Sequence, residues 1–124
     1  MAGVIGIGGV FLRVPDVGES TKWYAEVLGL DLQSWGGAVL QPPAGGQQVF
    51  SLFREDTEHF KPSTHPAMVN LTVDDLDAVL ARAAAHGVQP LSRTDGDAHG
   101  RFAWLLDPAG FKVELWEPPA EAGG

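Results

Sequence analysis

The chain has 124 residues, of which 44% are hydrophobic and 19% are charged, and this size and composition are typical of one globular domain with its own core. Eight basic residues stand against 16 acidic ones, and the net charge of −8 argues against nucleic acid and anionic membrane surfaces as partners. Because the chain contains no cysteine, disulfides and thiolate chemistry are excluded, and we expect a cytoplasmic protein.

The opening stretch MAGVIGIGGVFLRV has no basic segment followed by a long apolar run, because Arg13 interrupts the hydrophobic residues early. We therefore expect neither a signal peptide nor a membrane span. The part GVFLRV has the pattern of a strand, and we predict that it is the first element of the fold.

The first predicted unit covers residues 5–53 and has the order strand, helix and three strands. After the first strand the chain passes an acidic corner at Asp16 and continues with the periodicity of a helix, which Gly29 ends. The apolar stripe of this helix consists of Trp23, Tyr24, Val27 and Leu28. Short strands follow, and the last of them is VFSLF (49–53). The polar, proline-bearing segment REDTEHFKPSTHP (54–66) is predicted to be a linker.

The second predicted unit covers residues 67–117 and repeats the same order. Asp75 is a candidate helix N-cap, and Gly87 is a candidate stop. The apolar stripe of the second helix consists of Leu76, Val79, Leu80 and Ala83. The stretch DPAG has the residues of a tight hairpin turn, with Pro108 fixing φ and Gly110 free to adopt a positive φ.

The two units match each other at a nearly constant offset, which indicates either a duplicated unit or a chance likeness of two strand–helix pairs. The acidic corners Asp16 and Asp75 are 59 residues apart, and the glycines that follow the helices are 58 apart. The strand VFSLF matches KVELW at an offset of 63. We interpret this as duplication.

The layout resembles that of the vicinal oxygen chelate superfamily, which includes glyoxalase I, bleomycin-resistance proteins and extradiol dioxygenases. The stretch LRVPDVGESTKWYAEVLGL looks like the first strand and helix of that family, VNLTVDDLDAVLARAAAHGV like its second pair, and LLDPAGFKVELWEP like its closing hairpin. The resemblance implies an α+β fold in which two βαβββ modules form an eight-stranded, cup-shaped mixed sheet with the helices outside. It also implies a homodimer.

Members of that family that use a metal place four ligands in the cup, typically His or Gln, Glu, His and Glu. The matching positions here are Gly9, Ser51, Met68 and Glu114, so three of the four ligands are replaced and only Glu114 remains. We therefore predict no family-type metal site and no cofactor. A divalent metal in a shifted site of His65, His99 and Glu114 remains an alternative, and loop histidines in solvent are the simpler interpretation.

Strand alternation, combined with the resemblance, predicts which side chains line the cup. They mix aromatic rings with a few polar groups, as small-molecule pockets do. By resemblance to glyoxalase I, Arg13 is a candidate anchor for an anion. The residues predicted to bind a ligand are Phe11, Arg13, Ser51, Phe53, Met68, Asn70, Phe102, Trp104, Lys112, Glu114 and Trp116.

Glu114 has three possible roles in such a cup. It can form an ion pair with Lys112 or Arg13, it can recognise a cationic or hydrogen-bond-donating ligand, or it can act as a general base. The leading functional prediction is a metal-free small-molecule binder that resembles the bleomycin-resistance branch. The alternatives are a lyase, isomerase or dioxygenase of the same superfamily, with a relocated metal or with Glu114 as the base, and a ligand-dependent accessory module without its own chemistry.

Overall fold

A computed structural model of the chain describes residues 2–42 and 44–119. The described elements are α1 (Val17–Glu26), β1 (Val69–Thr72), α2 (Leu76–Ala85), β2 (Ser92–Asp97), β3 (Gly100–Leu106) and β4 (Lys112–Glu117). The strands form one sheet in the order β1-β4-β3-β2, with β1 parallel to β4 and the other neighbours antiparallel. The predicted α+β class is confirmed. Neither described helix combines the length and apolar character that a membrane crossing requires.

Each helix is bounded by the residues that the sequence suggested. The Asp16 carboxylate accepts a hydrogen bond from the Glu19 amide at 3.0 Å, and the Asp75 carboxylate accepts one from the Ala78 amide at 3.1 Å. Gly29 and Gly87 follow the two helices with φ of +74° and +79°, a backbone conformation that glycine adopts without a steric penalty. The two helix boundaries therefore arise from local interactions.

The core lies on one face of the sheet, where α1 and α2 cover it. Every residue of the predicted stripe of α2 is buried, and Val27, the residue that follows α1, packs against the same cluster. The alternation of β3 and β4 directs Ala103, Leu105, Val113 and Leu115 into this layer, and their side chains are almost completely shielded from solvent. The intervening residues of both strands consequently face the other side of the sheet.

The turn between β3 and β4 is the predicted DPAG hairpin, and it also anchors α1. Gly110 has a φ of +88° and its amide donates to the Asp107 carbonyl at 3.0 Å. The buried Asp107 carboxylate accepts bonds from the Ala109 and Phe111 amides and from the Tyr24 hydroxyl, the last at 2.6 Å. Burial, followed by the hydrogen bond to Asp107, raises the pKa of Tyr24. This cluster ties the first helix to the closing hairpin.

An Arg–Asp network fastens the start of α2 to the sheet, and it consists of Asp77, Arg93, Asp95, Arg101 and Glu117. Arg93 and Arg101 each contact both aspartates, at distances between 2.6 and 3.0 Å. Glu117 lies 3.5 Å from Arg101 and accepts a hydrogen bond from the Leu76 amide at 2.8 Å. Hydrogen bonds from the two arginines hold the pKa values of Asp77 and Asp95 below their ordinary range.

The eight-stranded cup built from two modules is not confirmed. The four strands all come from the second predicted unit, and within 5–53 the described residues form α1 but no strand. A hydrogen bond from the Ile7 amide to the Gln48 side chain, at 2.8 Å, joins two segments of this region, but no backbone ladder forms between them in the described chain. The described segments of 5–53 are not strands because a strand requires backbone groups that are hydrogen-bonded to a neighbouring strand. Apolar side chains of this region are exposed, among them Ile5, Val10, Phe11, Val49, Phe50 and Leu52.

Candidate ligand-binding face

The face of the sheet opposite the helices, hereafter the open face, carries the predicted residues of the second unit except Met68. Cross-strand register sets Phe102 beside Trp116, Trp104 beside Glu114, and Asn70 on the other side of Glu114. Because opposite residues of paired strands lie about 5 Å apart, these side chains share one surface. The structure thus brings together Asn70, Phe102, Trp104, Lys112, Glu114 and Trp116.

Three aromatic rings form an aromatic ladder on this face, defined by Trp104, Phe102 and Trp116. The ring centroids of Phe102 lie 6.0 Å from those of Trp104 and 6.3 Å from those of Trp116, and the planes are within 12° of parallel. This is the offset-stacked geometry that aromatic pairs prefer. The Trp116 indole N–H donates to the His99 carbonyl at 2.7 Å, which fixes one end of the ladder.

The other end of the ladder is covered by the linker, which contains turns and bends but neither helix nor strand. The His59 ring stands edge-on to Trp104 at 6.0 Å and stacks on Phe53 at 5.5 Å. Phe60 packs against Phe53 at 5.2 Å. His59 and Phe60 are therefore neighbours of the site that the sequence reasoning missed. The one signal available was the presence of two adjacent aromatic rings in an otherwise polar linker.

Lys112 holds the linker in place. Its ammonium group donates to the His59 carbonyl at 2.5 Å and lies 5.8 Å from the centroid of the Trp104 ring, within cation–π range. The side chain is buried, with 8% of the residue exposed. A buried ammonium with these two partners acts as a structural clamp between β4 and the linker.

Glu114 is half-buried in the middle of the open face, between Trp104 on β3 and Asn70 on β1. Among the described residues, no hydrogen bond or ion pair engages its carboxylate, and Lys112, the nearest candidate cation in sequence, is engaged by His59 instead. The Trp104 indole nitrogen is a second polar group without a partner, and it is buried. An unmade hydrogen bond at a buried donor costs about 1–3 kcal/mol.

Three of the predicted site residues of the first unit lie away from the open face. Phe11, Arg13 and Ser51 are exposed, and in the described chain no hydrogen bond or ion pair joins them to the open face. Phe53 reaches the site through its contact with His59. Met68 is half-buried immediately before β1. Their placement as ligand contacts stays a prediction.

The histidines of the proposed shifted metal site have other contacts. His65 stacks on Phe111 with centroids 3.8 Å apart, and its Nε2 lies 2.9 Å from the Ala109 carbonyl. The His99 amide donates to Asp97, and its carbonyl accepts from Trp116. Within residues 2–42 and 44–119, no group of three or more histidine, aspartate or glutamate side chains is arranged to hold a metal ion. The described structure therefore does not bring His65, His99 and Glu114 together as one ligand set.

Comparison with known proteins identifies one family and several solved structures of similar fold. The family model of the "Glyoxalase/Bleomycin resistance protein/Dioxygenase superfamily" matches residues 6–115. A glyoxylase/bleomycin resistance protein/dioxygenase domain from Frankia sp. EAN1pec is 19% identical, with a TM-score of 0.62 over 97% of this chain and 96% of that one. A lactoylglutathione lyase from Agrobacterium tumefaciens is 21% identical, with a TM-score of 0.54 over 90% and 94%. These two likenesses concern the fold alone.

A third solved structure is more similar in sequence. TnmS3, an antibiotic binding protein from Streptomyces sp. CB03234, is 25% identical, with a TM-score of 0.57 over 94% of this chain and 100% of that one. No protein with a curated description matches the chain.

Proposed function

The chain belongs to the glyoxalase/bleomycin resistance protein/dioxygenase superfamily, and we propose that within it the chain is a metal-free protein that binds a small, planar, partly aromatic molecule. One observation carries the proposal. The open face presents three stacked aromatic rings beside a carboxylate that no described residue engages. Aromatic walls with a few polar groups are typical of small-molecule sites, whereas catalysis through a metal requires a ligand set.

The likeness to TnmS3 supports binding rather than chemistry. That protein is described as antibiotic-binding, and the match covers 94% of the present chain. A ring at the end of the ladder, such as Trp116, offers flat apolar area at a small cost in conformational entropy, and this suits a planar ligand.

The proposal includes the full cup and a homodimer. The apolar segments of residues 5–53 expose side chains such as Phe11 and Leu52 and lack a backbone ladder in the described chain. Pairing of these segments in the assembled protein would complete an eight-stranded sheet and bring Arg13 and Ser51 towards the ligand. The cytoplasmic location remains part of the same expectation.

Binding is tested with the tryptophans as reporters. We expect planar aromatic compounds, screened by thermal shift and then titrated against tryptophan fluorescence, to raise the Tm and to quench the emission. Trp116→Leu should weaken binding by about tenfold, because stacking on one ring contributes about 1 kcal/mol or more. Trp35→Leu is the matched control, since Trp35 is 68% exposed in a loop. Equal affinities for the two variants would contradict a site on the aromatic ladder.

The alternative, an enzyme of the same superfamily, rests on the unengaged Glu114 carboxylate, which is available as a general base. Elemental analysis after incubation with Ni²⁺, Zn²⁺, Fe²⁺ and Mn²⁺ separates the metal-dependent form. One tightly held ion per chain would overturn the metal-free proposal. For a metal-free enzyme, Glu114→Gln would abolish turnover of a substrate that the variant still binds.

A further inference from the structure

Glu114 is the one carboxylate of the open face, and among the described residues no hydrogen bond or ion pair engages it. The other charged side chain on this side of β4, Lys112, is buried, donates to the His59 carbonyl and lies over the Trp104 ring. The arginines 93 and 101 are committed to the Arg–Asp network. A half-buried carboxylate that no side chain engages is open to a ligand, and a cationic donor that reaches it gains a charge-assisted hydrogen bond.

The neighbours of Glu114 favour a cation. Register places Trp104 directly opposite Glu114 on the adjacent strand, and the Cβ atoms of such a pair lie about 5 Å apart. A cation that pairs with the carboxylate therefore lies beside Trp104, but the Lys112 ammonium already lies 5.8 Å from the centroid of that ring. The carboxylate consequently supplies the main attraction. Asn70, the neighbour on β1, offers an amide oxygen that can accept a further N–H bond from the same group.

Charge argues in the same direction at longer range. The chain carries a net charge of −8, so the approach of a cation is favoured and the approach of an anion is opposed. An anionic ligand would also meet the Glu114 carboxylate at close range, and a neutral ligand would leave that carboxylate unpaired.

We infer that Glu114 recognises a protonated amine, and that the ligand class is a planar aromatic ring system bearing an ammonium group. The ring system stacks on the aromatic ladder, and the ammonium group donates to Glu114 beside Trp104. This inference rests on the proposed binding function and narrows it to cations.

The test uses one ring with three charges. Naphthylmethylamine is protonated at neutral pH, naphthalenemethanol is neutral and naphthoate is anionic. Each is titrated into the ¹⁵N-labelled full chain, and the indole N–H signals of Trp104 and Trp116, assigned through Trp→Phe variants, report the Kd. We expect the amine to bind at least about tenfold more tightly than the alcohol, as a charge-assisted hydrogen bond provides, and naphthoate to bind most weakly.

Two variants and a salt series test whether the Glu114 carboxylate causes the preference for the amine. Glu114→Gln should reduce the preference for the amine to less than about twofold and leave the Kd of the alcohol unchanged. Glu55→Gln, which removes the same charge from an exposed position in the linker, should leave the preference intact. In the unmodified chain, added NaCl should weaken the binding of the amine and leave the binding of the alcohol unchanged.

The possible outcomes distinguish failure of the cation preference from failure of the proposed binding function. Equal binding of the three probes, with shifts at Trp104 and Trp116, overturns the cation preference and leaves the proposed function standing. If none of the probes moves these indole signals, both fail. If Glu114→Gln weakens amine and alcohol equally, Glu114 supports the site structurally, and the inference is overturned.

Discussion

Asp107 is the residue through which α1 and the closing hairpin are joined. It is buried, and its two oxygens accept from the Tyr24 hydroxyl and from the Ala109 and Phe111 amides. Asp107→Ala should lower the free energy of unfolding by about 3 kcal/mol, because one buried and two half-buried donors lose their acceptor. Tyr24→Phe removes one of the three bonds and should cost about 1 kcal/mol. Urea unfolding of both variants measures the two values.

The comparison of those two variants tests the hydrogen-bond assignment itself. Tyr24→Phe keeps the ring, which packs edge-on against Trp23 with centroids 4.9 Å apart, so packing is preserved and only the hydroxyl is lost. Equal destabilisation by Tyr24→Phe and Asp107→Ala would mean that the bonds to the two turn amides contribute nothing to stability.

At the scale of elements, local signals were sufficient for the helices and the hairpin. The stripe Leu76, Val79, Leu80 and Ala83 was readable because helical periodicity places those residues on one face, and all four are buried. Alternation likewise placed Val113 and Leu115 in the core and Glu114 on the other face. The DPAG turn is specified by the residues that it contains.

Long-range pairing could not be read in the same way. The strand pattern of VFSLF states which residues can alternate, but the partner of a strand lies far along the chain or on another chain. The return of His59 onto Trp104 depends on the Lys112 clamp, 53 residues further on, and no local pattern encodes it. The shared face of the side chains from the second unit was therefore predictable from the sequence, and the contact of the linker with that face was not.

The Arg–Asp network predicts how the attachment of α2 responds to acid. Arg101 and Arg93 hold the pKa of Asp77 below the ordinary 3.8, so folding favours the ionised carboxylate. This stabilisation is fully present above the unfolded pKa and is lost as the pH falls through the lower folded pKa. Asp77→Asn should therefore flatten the decrease in the free energy of unfolding between about pH 5 and about pH 3, measured by urea unfolding at each pH.

The control for the acid experiment is Asp31→Asn, since the exposed Asp31 side chain forms no ion pair among the described residues. Its pH profile should follow that of the unmodified chain. If the free energy of unfolding of Asp77→Asn depends on pH in the same way as that of the unmodified chain, the network does not contribute to acid sensitivity.

At the scale of the whole molecule, the two halves of the chain differ in how far their apolar side chains are buried and their strand segments are paired. The second half forms a sheet whose core is closed by two helices, while β1 and β2 are the edge strands of the described sheet. The first half leaves apolar side chains such as Ile5, Phe11 and Leu52 in solvent. So many exposed apolar side chains are typical of a surface that a partner covers, and edge strands accept further strands. A second copy of the chain supplies both requirements at once, which supports the proposed homodimer.

We therefore expect the purified chain to be a dimer at micromolar concentration, as light scattering during gel filtration measures. Phe11→Asp should weaken the dimer by at least about tenfold in Kd, because a charge replaces an aromatic ring, 93% exposed in the single chain, that the interface would bury. Val17→Asp adds the same charge at another exposed apolar residue, the first of α1, where the helix dipole favours an acid, and it should leave the dimer intact. A monomer at every concentration, or equal weakening by both substitutions, would contradict an interface formed by the first strand segment.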